Sequence, residues 1–323
     1  MNRPISTTVK LAVLIALASV FSATMIFLSV RNGSAEEHRS TAMWGDTKNI
    51  DRVFPVHAGN KLVINVDAGD VNITGRDGEE LSVTVKMKGS GERLANYKID
   101  MDQVNDVVTI EGRDKNHHWN FFDGGWFDVK FEIKLPRSFN IELTTSGGDV
   151  AVHNVEGTID GNTSGGDIKV GDVGGTVRLT TSGGDVEIRK ATGDLTFTTS
   201  GGDIKAENAQ GTLHLETSGG DIKLYDIDAD LNASTSGGNI SAELQDNKGI
   251  ELETSGGDIS VTVPNSITAD VDAETIGGDV DCELEFSGKL KNGEMHGTIN
   301  GGGKSIRART SGGDIKIKGK HSS

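Results

Sequence analysis

Apolar and polar residues alternate in short segments of this chain, and glycine separates the segments. In residues 182–199, alternation over 186–189 is followed by a turn at Gly193 and a second alternating segment over 195–199. Strict alternation places one set of side chains inside and the other in solvent, as in a half-buried β-strand. The pattern predicts two short strands joined by glycine turns. Gly183 and Gly184 are expected to adopt positive φ at the corner between repeats.

The same unit recurs with a fixed length. Ser-Gly-Gly-Asp, or Ser-Gly-Gly-Asn once, recurs at intervals of 18 residues at Ser146, Ser164, Ser182, Ser200, Ser218 and Ser236. The spacing then loosens, with Ser255, the variant Ile276-Gly277-Gly278-Asp279, and a final copy at Ser311 after a long gap. A strict period interrupted near one end is typical of stacked repeats with a capping region. We predict a parallel β-solenoid over residues 144–323, with about nine turns, here called rungs, in 144–318.

Two columns of the repeat support a narrow aliphatic core. Counting the serine as position 1, position 5 is Val or Ile at Val150, Ile168, Val186, Ile204, Ile222, Ile240, Ile259, Val280 and Ile315. Position 7 is small or apolar at Val152, Val170, Ile188, Ala206, Leu224, Ala242, Val261, Cys282 and Ile317. Cys282, which stands in an inward column, is therefore expected to be buried and inert. Position 6, with Lys169, Glu187, Lys205 and Lys223, is expected to be a solvated face.

Residues 53–143 lack the strict repeat. Alternating stretches at 62–66, 81–85, 107–110 and 129–135 suggest antiparallel strands, and Ala68-Gly69-Asp70-Val71 echoes the repeat. We predict a β-rich N-terminal region that continues into the solenoid and covers its first rung, removing an exposed edge.

The beginning of the chain predicts export. Residues 11–30 contain no charge, proline or glycine, and Arg3 and Lys10 precede them. The segment is long enough for a transmembrane helix, and residues 33–35 offer a cleavage site, so an uncleaved anchor and a cleaved signal both remain open for 1–35. The positive residues before the apolar run orient the rest of the chain away from the cytoplasm. Residues 36–52 are polar and predict a linker.

Composition excludes some functions. The chain has 323 residues and a formal charge of −16, so nucleic acid is not an expected partner. Its single cysteine cannot form an intrachain disulfide, and no cysteine pair with zinc-binding spacing exists. Stability must come from packing and backbone ladders.

The chain resembles a bacterial family of adhesin-like domains of unknown function. The resemblance covers residues 53–318 and rests on Ala68-Gly69-Asp70-Val71, Leu135-Pro136-Arg137 and the Thr-Ser-Gly-Gly-Asp series that begins at Thr145. It implies the solenoid fold. It supplies no catalytic residues.

An aspartate column is the most suggestive feature for a site. Position 4 is acidic at Asp149, Asp167, Asp185, Asp203, Asp221, Asp258, Asp279 and Asp314, with Asn239 in the same column. Turn-capping hydrogen bonds to backbone N–H groups are the favoured interpretation, and calcium binding between rungs is the alternative. Because each turn supplies one carboxylate, we predict that folding needs no calcium.

A threonine column precedes the serine in each repeat. It comprises Thr145, Thr163, Thr181, Thr199, Thr217, Thr235, Thr254, Thr275 and Thr310. An ice-binding surface would need these hydroxyls outside. Thr199 has the same parity as Leu195 and Phe197, so an inward structural hydroxyl ladder is the prediction.

Aromatic residues concentrate at 117–127, in His117-His118-Trp119-Asn120-Phe121-Phe122 and Trp126-Phe127. A loop packed over the solenoid end is the favoured interpretation, and a patch that contacts a partner or membrane is the alternative. The two adjacent histidines do not make a zinc site by themselves.

Catalysis is not expected. Carbohydrate-active enzymes with parallel β-helices need acids that converge in a groove, usually walled by long loops, and five consecutive 18-residue spacings leave no room for such loops. Only 288–304, which contains His296, departs from the tight repeat. We predict no catalytic, cofactor-binding or metal-binding residues.

The expected function is a non-catalytic adhesin-like or scaffolding surface in the cell envelope, either anchored with the solenoid outside or periplasmic or secreted. The expected partner is an envelope or surface protein or a polysaccharide, together with the membrane through 11–30 if uncleaved.

Overall fold

The computed structural model describes residues 36–42, 45–115 and 127–320, and these are nearly all β-strand. Their only helix is the single turn α1 (Gly91–Asn96). Within these ranges, no helix has the length and apolar content needed to span a bilayer. The apolar segment 11–30, the candidate cleavage site and most of the aromatic segment 117–127 lie outside the described residues.

The N-terminal strands extend from Glu36 to Thr145. They are β1 (Glu36–Ala42), β2 (Gly45–Pro55), β3 (Lys61–Val66), β4 (Asp70–Arg76), β5 (Glu80–Gly89), β6 (Tyr97–Val104), β7 (Val107–Asp114), β8 (Phe127–Pro136) and β9 (Asn140–Thr145). The expected linker at 36–52 therefore carries strands: β1 pairs antiparallel with β2, and β2 pairs antiparallel with β5. The boundaries expected at residues 53 and 144 stay predictions.

The repeats form the remaining strands. They are β10 (Val150–His153), β11 (Glu156–Thr163), β12 (Ile168–Thr181), β13 (Val186–Thr198), β14 (Ile204–Thr217), β15 (Ile222–Thr235), β16 (Ile240–Leu244), β17 (Ile250–Thr254), β18 (Ile259–Val263), β19 (Ala269–Thr275), β20 (Val280–Cys282), β21 (Phe286–Lys291), β22 (Glu294–Ile299), β23 (Lys304–Thr310) and β24 (Ile315–Gly319).

Successive rungs stack in parallel and in register. Val186 pairs with Ile204, and Leu195 pairs with Leu213, so equivalent repeat positions lie directly above one another. Each rung contributes its position 5–8 segment to one face and its position 14–18 segment to the opposite face. The predicted parallel stacking is confirmed for the repeats, apart from the hairpin near the C-terminal end.

The corner between the two faces uses left-handed backbone at position 9. The φ angles are 58° at Asn154, 53° at Asp172, 55° at Lys190, 56° at Asn208 and 54° at Asp226. Asn and Asp tolerate this region better than most residues with a Cβ. Gly183 and Gly184 are not in the left-handed region, so the expectation of positive φ for them is wrong.

At the N-terminal end, stacking order differs from chain order. β3 lies between β7 and β9, with parallel pairing on both sides. β4 likewise lies between β8 and β10, parallel to both. Among the described strands, the stretch at 62–66 (β3) pairs only in parallel, so the expectation of antiparallel pairing is wrong for it. The stretch at 107–110 (β7) pairs in parallel with β3 and antiparallel with β6, and β5 pairs antiparallel with β8. The segment Ala68-Gly69-Asp70-Val71, which resembles the repeat, leads into β4 and so forms part of a rung of the parallel stack.

The C-terminal end contains the same kind of insertion. β23 lies between β17 and β19, and β24 lies between β18 and β20, all in parallel. The rung that begins at Ser311 therefore lies within the stack, between the Ser255 rung and the Ile276 rung. β21 and β22 form a hairpin, and β22 covers β19 in antiparallel pairing.

The core follows the two predicted inward columns. Every residue of the position 5 column is buried, and the position 7 column is buried except for Cys282. Cys282 is half-buried because its strand, β20, pairs with β24 on one side only among the described strands. The expectation of full burial is wrong, and the reason is the unforeseen stacking order.

Candidate binding surface

The threonine ladder is internal. The Thr181 hydroxyl donates to the Gly166 carbonyl oxygen of the preceding rung at 2.8 Å and accepts the Gly184 N–H at 3.3 Å. The same pair of bonds recurs at Thr199, Thr217 and Thr235, and the whole column is buried. The predicted structural hydroxyl ladder is confirmed. These hydroxyls are not available at the surface.

The aspartate column forms a second ladder beside it. The Asp185 carboxylate accepts the backbone N–H of Asp203 at 2.8 Å, and the Asp167 carboxylate accepts that of Asp185 at 2.9 Å. Asn239 takes the same role toward Asp258 at 2.8 Å. The ladder runs in spatial order through Asp70, Asp149, Asp167, Asp185, Asp203, Asp221, Asn239, Asp258, Asp314 and Asp279.

This geometry confirms that the aspartates accept backbone N–H bonds, although the donor belongs to the next rung rather than to the same turn. The hydrogen bond from the backbone N–H of Asn239, together with Lys223, lowers the pKa of Asp221 below its usual value. From Asp70 to Asp314 in this order, one side-chain oxygen of each ladder residue accepts a backbone N–H. No cluster of three or more potential metal ligands is found in the part of the chain that the structure describes. Calcium independence stays a prediction.

One broad face is covered by ion pairs. We call the outward side chains at positions 6 and 8 the ion-paired face. Within β14, Lys205 contacts Glu207 at 2.7 Å, and within the next rung Lys223 lies 3.2 Å from Asp221. These contacts raise the pKa values of Lys205 and Lys223 and lower that of Glu207. The predicted solvated lysine column exists, and its charges are largely satisfied by neighbours.

The opposite face has a different chemistry. We call its outward side chains at positions 15 and 17, from β9 to β15, the hydroxyl face: Glu142, Thr144, Asp160, Asn162, Arg178, Thr180, Thr196, Thr198, His214, Glu216, Asn232 and Ser234. Most of them are hydroxyl or amide side chains. Of these twelve side chains, only Glu142 makes a side-chain hydrogen bond or ion pair with another described residue, Lys61, at 2.6 Å.

A groove of about 640 Å³ lies at the N-terminal end of the hydroxyl face, across β9 and β11. Its polar lining residues are Lys61, Asn140, Glu142, Thr144, Thr158, Asp160 and Asn162. Another hollow, of about 540 Å³, lies on the ion-paired face and includes Lys316 and Glu283, which are 2.7 Å apart. The two hollows differ in part of their lining. In the first, Thr144, Asp160 and Asn162 make no side-chain hydrogen bond or ion pair with described residues, whereas Lys316 and Glu283 in the second pair with each other.

His296, in the segment that departs from the repeat, lies on the capping strand β22. Its Nδ1 is 2.9 Å from the Asp272 carboxylate, which Arg307 and Arg309 also contact at 3.5 and 3.4 Å. All four side chains are partly exposed, on the outside of a sheet. The arrangement is a mixed-charge surface network.

A family model matches residues 59–318, which is most of the chain, and its description is Toastrack DUF4097. This chain belongs to the Toastrack DUF4097 family. The adhesin-like family of the sequence resemblance is consistent with this match. A search of curated proteins finds no match to this Toastrack chain.

Solved structures similar to this Toastrack chain include proteins from three bacteria. A "putative cell adhesion protein" from Clostridium sporogenes is 16% identical, with 84% of this chain and 99% of that chain covered and a TM-score of 0.25. A "putative adhesin" from Bacteroides fragilis is 16% identical, with coverage of 84% and 97% and a TM-score of 0.39. A "putative lipid binding protein" from Parabacteroides distasonis is 11% identical, with coverage of 84% and 97% and a TM-score of 0.32. Identities and TM-scores this low add nothing to the family match.

The hydroxyl face of this Toastrack chain was missed by sequence reasoning, which concentrated on the Thr-Ser-Gly-Gly-Asp turn. The sequence did contain a pattern that distinguishes this face. Position 17 is Thr144, Asn162, Thr180 and Thr198 in four consecutive rungs, whereas position 6 is charged at Lys169, Glu187, Lys205 and Lys223. Of the aromatic segment, only Phe127 is described, and its ring packs 5.2 Å from that of Tyr97.

Proposed function

We propose that this Toastrack chain is a non-catalytic, exported protein of the cell envelope that works through the outer faces of its solenoid. The observation that carries the proposal is the regularity of those faces. Side chains at each outward position line up in register from rung to rung, with shallow hollows between them. Such a rigid, repetitive surface suits many weak contacts with a polymer or a protein assembly better than capture of a small molecule.

Export is supported by the sequence before residue 36. Arg3 and Lys10 precede the apolar run at 11–30, which would orient the folded part outside the cytoplasmic membrane, either anchored or released after cleavage. The aspartates accept backbone N–H groups of the next rung, and this structural role supports an adhesin-like or scaffolding surface, with a calcium-dependent module as the alternative.

The test combines location with contact. Cells that express the full-length chain are treated with protease before and after permeabilisation of the outer layers, and the repeat array is followed by immunoblot. We expect the array to be cleaved in intact or permeabilised cells and the purified chain to bind isolated envelopes. Protection of the array after permeabilisation would contradict export, and failure to bind envelopes would contradict the surface role.

A further inference from the structure

We infer that the hydroxyl face is a binding site for a neutral linear polysaccharide, seated in the groove across β9 and β11 and continued along the rungs above it. This inference rests on the proposed function, since it names the partner and the surface. The argument has four parts: free hydrogen-bonding capacity, a pre-arranged groove, a repeating path and the charge of the surface.

The hydroxyl face has hydrogen-bonding capacity that the protein does not use. Thr144, Asn162 and Thr180 are neighbours in one column, and none makes a side-chain hydrogen bond within the described structure. Backbone groups of these strands are consumed by the parallel ladders, so contacts must come from side chains. Hydroxyl and amide groups donate and accept, as sugar hydroxyls do. On the ion-paired face, by contrast, charged side chains pair with one another, as Lys205 does with Glu207.

The groove is built from side chains that are held in place. The Asn140 side chain donates to the Gly59 carbonyl at 2.9 Å and accepts the Thr158 N–H at 3.1 Å. The Lys61 Nζ and a Glu142 carboxylate oxygen form an ion pair at 2.6 Å. These contacts restrain the walls and leave Thr144, Asp160 and Asn162 free toward the groove. Restrained walls lose less conformational entropy when a ligand binds.

The surface continues beyond the groove with a polymer-like repeat. Asn162 is in register with Thr180, and Thr180 with Thr198, at the usual strand spacing of about 4.8 Å. Farther along, Asn232 and Ser234 present the same groups two rungs above Thr196 and Thr198. A linear chain lying along the solenoid axis meets a new set of hydroxyl or amide groups at most rungs, and many weak contacts then add.

Charge selects a neutral polymer. Lys61 neutralises Glu142, and Arg178 is in register with Asp160, whereas Glu216 farther along makes no ion pair in the described structure. The chain also carries a formal charge of −16. Acidic polysaccharides and nucleic acids would be repelled, while uncharged sugar hydroxyls can donate hydrogen bonds to these carboxylates.

The experiment is affinity electrophoresis of the full-length chain, purified in mild detergent, through gels that contain hydroxyethyl cellulose, laminarin, mannan or polygalacturonate. We expect retardation by at least one of the three neutral polymers and none by polygalacturonate. The variant Thr144→Ala/Asn162→Ala/Thr180→Ala removes three neighbouring hydrogen-bonding groups without changing charge. We expect it to lower the affinity by about tenfold or more, because three hydrogen-bonding side chains that would contact the polymer are removed together.

The matched control is Ser241→Ala/Ser260→Ala/Thr262→Ala, which removes three outward hydroxyls from the ion-paired face. It should migrate as the unaltered chain does. The inference is overturned if no neutral polymer retards the chain, if polygalacturonate does so, or if both triple variants behave alike. Binding of the hydroxyl-face variant to envelopes as strongly as the unaltered chain would overturn the site while leaving the proposed function standing.

Discussion

The two glycines in each Thr-Ser-Gly-Gly-Asp turn are required to different degrees. A Cβ on Gly184 would lie 2.1 Å from the Gly166 carbonyl oxygen, which the Thr181 hydroxyl already holds. A Cβ on Gly183 would lie 3.7 Å from the Gly165 carbonyl oxygen, an ordinary contact. At Gly184 the second glycine therefore lets adjacent rungs approach, and close packing rather than an unusual φ demands it, whereas Gly148 in the first repeat also has a positive φ of 130°.

We expect Gly184→Ala to destabilise the fold by about 2 kcal/mol or more, because a backbone oxygen in a ladder cannot move aside. Gly183→Ala is the matched control and should change stability by less than about 0.5 kcal/mol. Urea unfolding followed by circular dichroism measures both. Equal midpoints for the two variants would contradict the role given to the second glycine.

The aspartate ladder can be tested with a substitution that the chain itself contains. Asp185→Ala removes the acceptor for the Asp203 N–H, and we expect a loss of about 1–3 kcal/mol. Asp185→Asn should cost less than about 1 kcal/mol, because Asn239 makes the same bond in the same column. Thermal melting of the two variants compares them. If the Asn variant is as unstable as the Ala variant, the charge rather than the hydrogen bond stabilises the turn.

The reactivity of the Cys282 thiol can test whether β20 lies at the end of the stack. Burial raises the pKa of its thiol, so less thiolate is present at neutral pH than in a free cysteine. We expect slow labelling by a thiol reagent that proceeds without unfolding and accelerates as pH rises. Its register partner Ile317 is fully buried, so Ile317→Cys, with Cys282→Ala, should react only when the protein unfolds. Equal native-state rates would contradict the edge position of β20.

At the level of strands, alternation predicted which residues are buried but not which rungs are neighbours. The columns through Val186 and Ile188 are inward, as predicted, since burial of one strand face sets the parity of the sequence. Chain order suggested that the Ile276 rung follows the Ser255 rung directly. The structure inserts the Ser311 rung between them, because every rung presents nearly the same edge and apolar column to its neighbours.

Stacking order can be tested with cysteine pairs in a Cys282→Ala background. Glu253 and Arg309 are in register on adjacent strands, whereas Glu253 and Glu274 are two rungs apart. We expect Glu253→Cys/Arg309→Cys to form a disulfide under mild oxidation, since neighbouring strands are about 4.8 Å apart. Glu253→Cys/Glu274→Cys is the control and should not, at about twice that distance. Gel mobility without reductant reports both, and the reverse pattern would support stacking in chain order.

At the scale of the whole molecule, the hydroxyl face shows why function was harder to predict than fold. The alternation that revealed the solenoid requires only that outward positions be polar, so it does not distinguish Thr180 and Thr198 from charged outward residues. Their importance depends on comparison with the opposite face, where Lys205 and Glu207 pair. That comparison requires knowing which positions share a face and which partners each side chain has.

The strands at the two ends of the stack determine whether a solenoid remains monomeric. Unpaired strand edges invite pairing with another chain, and native proteins cover them. The hairpin β21–β22 covers β19 at the C-terminal end, as β6 covers β7 in antiparallel pairing at the other. Hairpin closure depends on Gly288, whose Cβ would lie 2.2 Å from the His296 carbonyl oxygen.

We therefore expect Gly288→Val to open the hairpin, expose the edge of β19 and cause concentration-dependent association, while the inner rungs keep their β-sheet signal. The inner rungs should persist because β19 remains paired with β23 through seven residues. Sedimentation velocity at several protein concentrations, together with circular dichroism, measures both effects. Ser287→Ala, an exposed change on the same strand, serves as the control and should leave the sedimentation coefficient unchanged. If Gly288→Val sediments as the unaltered chain does at every concentration, then the hairpin is not what protects this edge.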